Sequence, residues 1–192
     1  MKSLVIIGWG DSYESSQLYR DGLLKYRIEP WKEKKWWKNH LAQSYSIAGW
    51  LVFFPKMPSS DNAQYEEWKI VFQKILTSLP SIQDTVFVGH SLGACFLLSI
   101  ISEWKIPFTE LHLVAWCIWA GSFLIPESME YINSVSQKNI HIWHSEDDTI
   151  VSFKDALTIY SKIPWAIPHF FNDKSHYQAI EVFNELESIL LW

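Results

Sequence analysis

Six short apolar runs, separated by segments with helical periodicity, constrain the fold of this chain more than any other feature. The runs cover residues 4–7, 51–54, 86–88, 111–116, 140–143 and 166–171. Apolar and polar residues do not alternate within them, which is typical of strands buried on both faces. Strands that alternate with helices predict a three-layer α/β/α fold with a doubly wound, mostly parallel sheet of about six strands. The 192 residues suit one domain of this kind, spanning residues 1–192.

Helical patterns fill most of the segments between the runs. The predicted helices are one that carries Trp37, Leu41 and Tyr45, one that begins at Asp61, helices over residues 92–104, 153–163 and 176–190, and a short helix from Glu127. Asp61 and Gln64 have the spacing of a capping box. Residues 92–104 are apolar almost throughout, which predicts a central, covered helix. Residues 11–30 have no clear period, and neither they nor residues 117–139 are long enough for a full lid domain.

The charge balance bears on the partners that the chain could bind. Its formal net charge is −5, which argues against nucleic acid and anionic membrane surfaces as main partners. Hydrophobic residues make up 48% of the chain and charged residues 19%, a balance typical of globular proteins. Residues 32–38 form the one lysine-rich cluster. Because Glu33 and two tryptophans interrupt it, we expect a solvated helix face there.

The apolar segments are too short to place the chain in a membrane. No stretch approaches the roughly 18 uncharged apolar residues of a transmembrane helix. Residues 1–8 lack the long apolar region and the cleavage site of a secretory signal, so we expect a cytoplasmic protein. Cys95 and Cys117 are too few for a disulfide framework, and each is expected to be a small buried hydrophobic residue.

The pentapeptide Gly-His-Ser-Leu-Gly at residues 89–93 matches the Gly-x-Ser-x-Gly pattern of a nucleophile elbow. A predicted strand leads into it and an apolar helix leads out of it. A sharp strand-to-helix turn strains the central residue and raises its hydroxyl above the sheet. We therefore predict that Ser91 is a nucleophile. The alternative is that Ser91 only caps the helix.

A serine nucleophile needs a histidine as base and a carboxylate that orients this histidine. In a fold of this type the chain order is serine, acid and then histidine. Asp148 follows the fifth apolar run and is the preferred acid, while Glu146 and Asp147 are adjacent rivals that could cap the turn. His176 follows the sixth run and is the preferred base, with His169 as its rival.

The site also needs two N–H donors for the developing oxyanion. One is predicted to be Leu92, the residue after the nucleophile. The other is predicted to be Trp9, in the loop after the first strand, with Gly10 as the next choice. The predicted pocket residues are Gly10, His90, Trp119 and Phe123. An aromatic wall of this kind would favour a short apolar or aromatic acyl group.

Histidine spacing does not indicate a metal centre. His141 and His144 are three residues apart within a predicted strand, so their side chains face opposite sides of the sheet. These two histidines are therefore not expected to bind a metal. No other metal site and no cofactor are expected.

Taken together, these motifs resemble those of small, lid-less α/β hydrolases related to the retinoblastoma-binding serine hydrolase and its bacterial relatives. The resemblance is carried by residues 8–10, by residues 54–58 followed by Trp68, by residues 89–93, and by residues 145–151 followed by residues 175–176. It implies a Ser91–Asp148–His176 triad that hydrolyses carboxylic esters or amides without a metal. The segment of residues 11–36 is longer than is usual in that family, which leaves the shape of the acyl pocket open.

Two other functions stay open at this stage. The family's name points to a protein partner, so the chain could be a weakly active or inactive hydrolase-fold protein that serves as a binding module. An acyltransferase or perhydrolase could use the same three residues. The presence of serine, acid and histidine in the expected order favours a serine hydrolase that acts on a small ester, thioester or amide.

Overall fold

The architecture follows from a computed structural model that describes residues 1–8, 10–25, 36–126, 128–135 and 139–190. Leu23, Lys25, Trp119 and Ala120 are described by their backbone only. The strands, in chain order, are β1 (Ser3–Ile7), β2 (Leu51–Phe53), β3 (Thr85–His90), β4 (Glu110–Val114), β5 (Trp119–Ala120), β6 (Phe123–Leu124), β7 (Ile140–Ser145) and β8 (Ile167–Phe171). The helices are α1 (Ser16–Lys25), α2 (Trp37–Ile47), α3 (Tyr65–Ser78), α4 (Leu92–Trp104), α5 (Glu130–Ser134), α6 (Phe153–Lys162) and α7 (Asn184–Leu190).

Six of the strands form one parallel sheet in the order β2-β1-β3-β4-β7-β8. This confirms the predicted doubly wound sheet and each of its six strands. The remaining two strands, β5 and β6, form a small antiparallel hairpin within residues 117–139, for which the sequence predicted no strand. Within the described residues, no helix has the length and the apolar character needed to cross a bilayer.

The order of the strands reverses at β1. The chain passes from β1 outward to β2 and then returns to place β3 on the other side of β1. In open α/β sheets, such a switch point opens a crevice at the carboxyl ends of the strands, where ligands bind. Gly8 follows β1 and Ser91 follows β3, so both lie at this crevice.

The strands are apolar without alternation because both faces of the sheet are covered. Val5 and Ile7 pack with Phe72 of α3 in one core, while Leu4 and Ile6 pack with Leu41 of α2 in the other. All four of these β1 side chains are fully buried. Neighbouring residues of one strand thus support two separate helical layers.

Two predicted helix starts are wrong. The helix predicted from Asp61 begins at Tyr65, and Gln64 has an extended backbone with no side-chain capping bond. Its side-chain amide instead donates to the carbonyl of Asn62, at 3.4 Å. The short helix predicted from Glu127 appears as α5, which begins at Glu130, and Glu127 itself lies outside the described residues.

The last helix is shorter than its periodicity indicates. It begins at Asn184, not at His176. Ser175 and Tyr177 have φ angles of 50° and 56°, in the left-handed region, which a right-handed helix does not tolerate. Residues 176–183 therefore form a loop, although Phe183 is buried as the helical pattern predicted.

The two cysteines lie against each other. Cys95 of α4 is buried and Cys117, after β4, is half-buried. Their sulfur atoms are 2.6 Å apart, and the Cys95 thiol donates to the backbone carbonyl of Cys117. The expectation of a buried thiol is therefore correct for Cys95 and only partly correct for Cys117.

Helix α4 approaches the sheet closely because two positions in the elbow lack a side chain. A Cβ atom on Gly93 would collide with the backbone carbonyl oxygens of Ile7 and Gly8. A Cβ atom on Gly89 would lie 2.6 Å from the Cα atom of Ala94. The glycines therefore allow β1, β3 and α4 to meet at backbone distance.

Replacing Gly93 with alanine should lower the free energy of unfolding by about 1–3 kcal/mol, the usual cost of an overpacked contact. Alanine has the higher helix propensity by about 1 kcal/mol, so an unimportant contact would give a gain instead. Chemical denaturation of Gly93→Ala and of the wild type measures the difference.

Gly8→Ala is the matched control for this substitution. A Cβ atom there would lie 3.7 Å from the Phe54 ring, an ordinary contact distance. We expect its unfolding free energy to stay within about 0.5 kcal/mol of the wild type. A Gly93→Ala protein as stable as the Gly8→Ala protein would contradict the close packing of α4.

Candidate active site

Ser91 occupies the turn between β3 and α4 with a strained backbone. Its φ and ψ angles are 57° and −123°, a region that residues with a side chain rarely adopt. The N–H of Ser91 donates to the carbonyl of Val114, at 2.8 Å, and its own carbonyl accepts from Ala94, at 2.9 Å. These bonds, together with the close packing of Gly93, hold the turn in place.

The side chain of Ser91 is not used by the fold. It makes no capping bond to α4, although Ser91 is the residue before the helix. Among the described residues, its hydroxyl has no hydrogen-bond partner, so it is not bonded directly to His176. Hydrogen bonds of this kind are often long before a substrate binds. The alternative interpretation of Ser91 as a simple helix cap finds no support in these contacts.

Asp148 and His176 form a buried pair. The Asp148 Oδ2 atom lies 2.7 Å from His176 Nδ1. Oδ1 of the same carboxylate accepts the N–H groups of Ile150 and Val151, at 2.8 and 2.9 Å. Burial alone would raise the pKa of Asp148, but the hydrogen bonds from His176 and from these N–H groups outweigh it, and the pKa is lowered.

The ionised carboxylate fixes the tautomer of His176. A carboxylate only accepts hydrogen bonds, so Nδ1 carries the proton that joins the imidazole to Asp148. The lone pair of the neutral ring is then on Nε2, where a base needs it. The structure thus brings Asp148 and His176 into hydrogen-bonding contact, while their roles as acid and base stay a prediction.

The rival acids and the rival base have other contacts. Asp147 accepts from the hydroxyl of Ser145 and from the N–H of Ser175, at 2.9 Å for the latter, so it caps the turn. Glu146 is exposed. His169 stacks on the indole of Trp143 with ring centres 3.7 Å apart, well inside β8.

Two buried donors hold the loop that carries His176. The carbonyl of His176 accepts from His90 Nε2 at 2.9 Å, and the carbonyl of Tyr177 accepts from Trp37 Nε1 at 3.0 Å. Because a carbonyl only accepts, His90 carries its proton on Nε2. The left-handed backbone at Ser175 and Tyr177 thus persists because neighbouring elements fix it.

Lys38 lies behind this loop as a buried cation. Its side chain is only 2% exposed, and its Nζ atom lies 2.9 Å from His90 Nδ1. Burial lowers the pKa of Lys38 to about 7. The solvated face predicted for residues 32–38 is therefore wrong at Lys38, while residues 32–35 lie outside the described residues. Neither Lys38 nor Trp37 was singled out as a site residue, because only the fold brings α2 to the elbow.

The predicted oxyanion donors are only partly described. Leu92 is the first residue of α4, so its N–H has no intrahelical acceptor and remains available. Trp9 lies outside the described residues.

The structure corrects part of the predicted pocket. His90 and Phe123 are fully buried, and neither is among the residues that line a cleft of about 420 Å³ beside the elbow. Phe123 belongs to an aromatic cluster with Tyr65 and Trp68 in the core. Gly10 is also buried, with a Cβ position 3.0 Å from the carbonyl of Ser60. The side chain of Trp119 lies outside the described residues.

A second group of histidines lies away from this edge of the sheet. Donor atoms of Glu110, His112 and His141 lie within 4.8 Å of one another. Trp143 Nε1 donates to His112 Nδ1 at 3.2 Å, so Nε2 of His112 carries the proton that faces Glu110, at 2.9 Å. His112 therefore offers Glu110 a donor and not a metal-binding lone pair. His141 and His144 face opposite sides of β7, as the sequence predicted: His141 contacts His169, and His144 contacts the carbonyl of Val151.

Comparison with known proteins identifies the fold. No protein-family model matches the chain. No curated protein matches its sequence. Solved structures do match it over its whole length, at low sequence identity. The product of the ydeN gene from B. subtilis has a TM-score of 0.75 and 16% identity, and the match covers 100% of this chain and 97% of that one.

Two further structures have names that describe an activity of those proteins. The thioesterase domain from the curacin biosynthetic pathway has a TM-score of 0.67 and 12% identity, over 100% of this chain and 91% of that chain. The methylesterase MES16 from Arabidopsis has a TM-score of 0.65 and 10% identity, over 100% and 98%. The retinoblastoma-binding family remains a prediction from the motifs. The chain has the α/β-hydrolase fold.

Proposed function

We propose that the protein is a serine hydrolase that cleaves a carboxylic ester, thioester or amide of a small substrate through an acyl-enzyme on Ser91. The observation that carries the proposal is the 2.7 Å contact between Asp148 and His176, at the same sheet edge as the strained turn of Ser91. Burying such a pair costs free energy. The strain at Ser91 points the same way, since strained backbone clusters at functional sites.

The first half of the proposed reaction forms the acyl-enzyme. His176 Nε2 removes the proton from Ser91 Oγ while this oxygen attacks the carbonyl carbon of the substrate. Asp148 stays ionised and stabilises the imidazolium that forms. The imidazolium then gives its proton to the leaving alcohol, thiol or amine, and the acyl group remains on Ser91.

The second half releases the acyl group. Water attacks the acyl carbon while His176 Nε2 removes its proton. The imidazolium then gives this proton to Ser91 Oγ as the bond from Oγ to the acyl carbon breaks, which releases the carboxylic acid and restores Ser91 and neutral His176. In both halves the N–H groups of Leu92 and Trp9 would stabilise the oxyanion. The proposed chemistry needs no metal and no cofactor.

The substrate class rests on the fold and on the proposed triad. The names of two structural neighbours describe a thioesterase and a methylesterase, which is consistent with acyl transfer to water on this fold. The predicted pocket does not identify the acyl group, because three of its four residues, Gly10, His90 and Phe123, are buried. We propose a cytoplasmic enzyme that acts on a small molecule and has no nucleic acid partner.

Fluorophosphonate labelling tests the nucleophile. We expect wild-type protein to be labelled and Ser91→Ala protein to remain unlabelled. Ser102→Ala is a matched control in α4, because its hydroxyl only bonds to the carbonyl of Leu98. Labelling of that variant should match the wild type. A folded wild-type protein that resists the probe would favour the alternative, an inactive hydrolase-fold binding module.

Turnover of 4-nitrophenyl acetate tests the mechanism. Ser91→Ala should lower kcat roughly 10⁴- to 10⁶-fold, since removal of one triad member disables the others. A decrease of only about tenfold would mean that Ser91 is not the nucleophile.

The role of Asp148 is tested by an isosteric pair of substitutions. Asp148→Asn removes the acceptor that fixes the His176 tautomer, so kcat at neutral pH should fall by about 10⁴. Asp147→Asn keeps an oxygen that accepts from Ser145 and Ser175, so its kcat should stay within about tenfold of the wild type. If the two variants lose activity equally, Asp148 is not the orienting acid.

A further inference from the structure

A cleft of about 420 Å³ lies beside the elbow, at the same edge of the sheet. Gly8, which follows β1, and Phe54, which follows β2, line this cleft together with residues at the start of α2. Lys38 and Asn39 line it from α2, and Lys56 and Ser60 line it from the segment after β2. The cleft thus opens at the carboxyl ends of the strands, next to the switch point of the sheet.

Lys38 is the unusual residue of this cleft. An ammonium group has three N–H donors, yet among the described residues the Nζ atom of Lys38 has a single hydrogen-bond partner, His90 Nδ1, at 2.9 Å. The rings of Trp36 and Trp37 lie 4.9 and 5.4 Å from Nζ, which helps to accommodate a cation but accepts no further conventional hydrogen bond. Within the described part of the chain, two donors of this buried group thus have no partner, and a ligand could accept from them.

No carboxylate of the described residues forms an ion pair with Lys38. The lowered pKa, about 7, has burial as its cause, as expected for an amine held in the interior without a counter-charge. Burial of an unpaired cation costs free energy, so the fold alone does not explain this lysine. Groups that oppose stability in this way are concentrated at functional sites.

The other lining residues suit a ligand that has an anionic group attached to an apolar chain. Lys56 adds a second, exposed cation, and none of the described residues that line the cleft is acidic. Phe54 and Met57 provide apolar wall, and Ser60 and Asn39 provide polar groups. The charge and the polarity of the cleft thus suit a carboxylate that is attached to a short carbon chain.

The cleft is adjacent to the proposed reaction centre. Lys38 contacts His90, which directly precedes Ser91 in the chain. Gly8 directly precedes Trp9, the proposed second oxyanion donor. A substrate whose ester carbonyl lies at Ser91 could therefore extend a second functional group toward Lys38.

We propose that this cleft binds a carboxylate of the substrate, with Lys38 Nζ as its ion-pair partner, so that the preferred substrates are monoesters of short dicarboxylic acids. The assignment rests on the proposed hydrolase function. A carboxylate matches the charge of Lys38 and offers two oxygens to the two N–H donors of Nζ that have no partner among the described residues. A phosphate dianion would bring a second negative charge, which only the exposed Lys56 could balance in this cleft.

Binding is measured in Ser91→Ala protein, so that no ligand is consumed. Isothermal titration compares monomethyl glutarate, a monoanion, with dimethyl glutarate, its neutral counterpart. We expect the monoanion to bind about 10- to 100-fold more tightly, the range of one charge-assisted hydrogen bond. This preference should disappear in Ser91→Ala/Lys38→Met protein.

Lys69→Met in the same Ser91→Ala background is the matched control. It removes the same charge from α3, where Lys69 pairs with Glu66 and Glu103. The control should keep the preference for the monoanion, and thermal unfolding should show that both double variants are folded.

Three results would overturn the inference: equal affinity for the two glutarates, a preference that survives Lys38→Met, and tighter binding of methyl phosphate than of the monoanion. None of them bears on the serine mechanism, which is judged by fluorophosphonate labelling. Labelling without a preference for the monoanion would leave the hydrolase and remove the carboxylate site. A preference for the monoanion without labelling would support the carboxylate site and contradict the serine hydrolase.

Discussion

The contact between α4 and the carbonyl groups at the end of β1 is the constraint on which the rest of the site depends. It exists because Gly93 has no side chain where a Cβ atom would meet Ile7 and Gly8. This contact brings the helix down onto the sheet and leaves Ser91 in a sharp, strained turn with its hydroxyl unused. The same contact places the loop after β1 against the start of α4, where an oxyanion would need N–H donors.

A second set of contacts fixes the position of His176, the proposed base. His176 lies in a loop whose flanking residues have left-handed backbone, so local preferences do not hold it. Asp148 accepts a hydrogen bond from the His176 ring. His90 and Trp37 donate to the backbone carbonyls of His176 and Tyr177 in the loop. The hydrogen bonds continue from the His176 carbonyl through His90 to Lys38. Lys38 lines the cleft that we assign to a carboxylate.

The sequence predicted the structure correctly where a local pattern of residues determines the conformation. Apolar runs predicted all six strands of the main sheet, and the five residues of the elbow predicted the turn of Ser91. Periodicity failed at residues 176–183, because buried Phe183 fits a helix while the backbone at Tyr177 does not. The charge pattern was misleading at Lys38. A lysine in a charged segment is expected to be exposed to solvent, and only the tertiary packing shows that this one is buried. His90 and Phe123 look like pocket residues by their position in the chain, but the packed helices cover them.

The central claim, an acyl-enzyme on Ser91, is tested most directly by locating the acyl group. Wild-type protein can be quenched in acid during turnover of 4-nitrophenyl acetate, digested and mapped by mass spectrometry. The account predicts one acetyl group per chain on the peptide that contains Ser91, and none there in protein quenched after the substrate is exhausted. Steady turnover with the acetyl group on another residue, or with no acetyl group on Ser91 at any time of quenching, would contradict it.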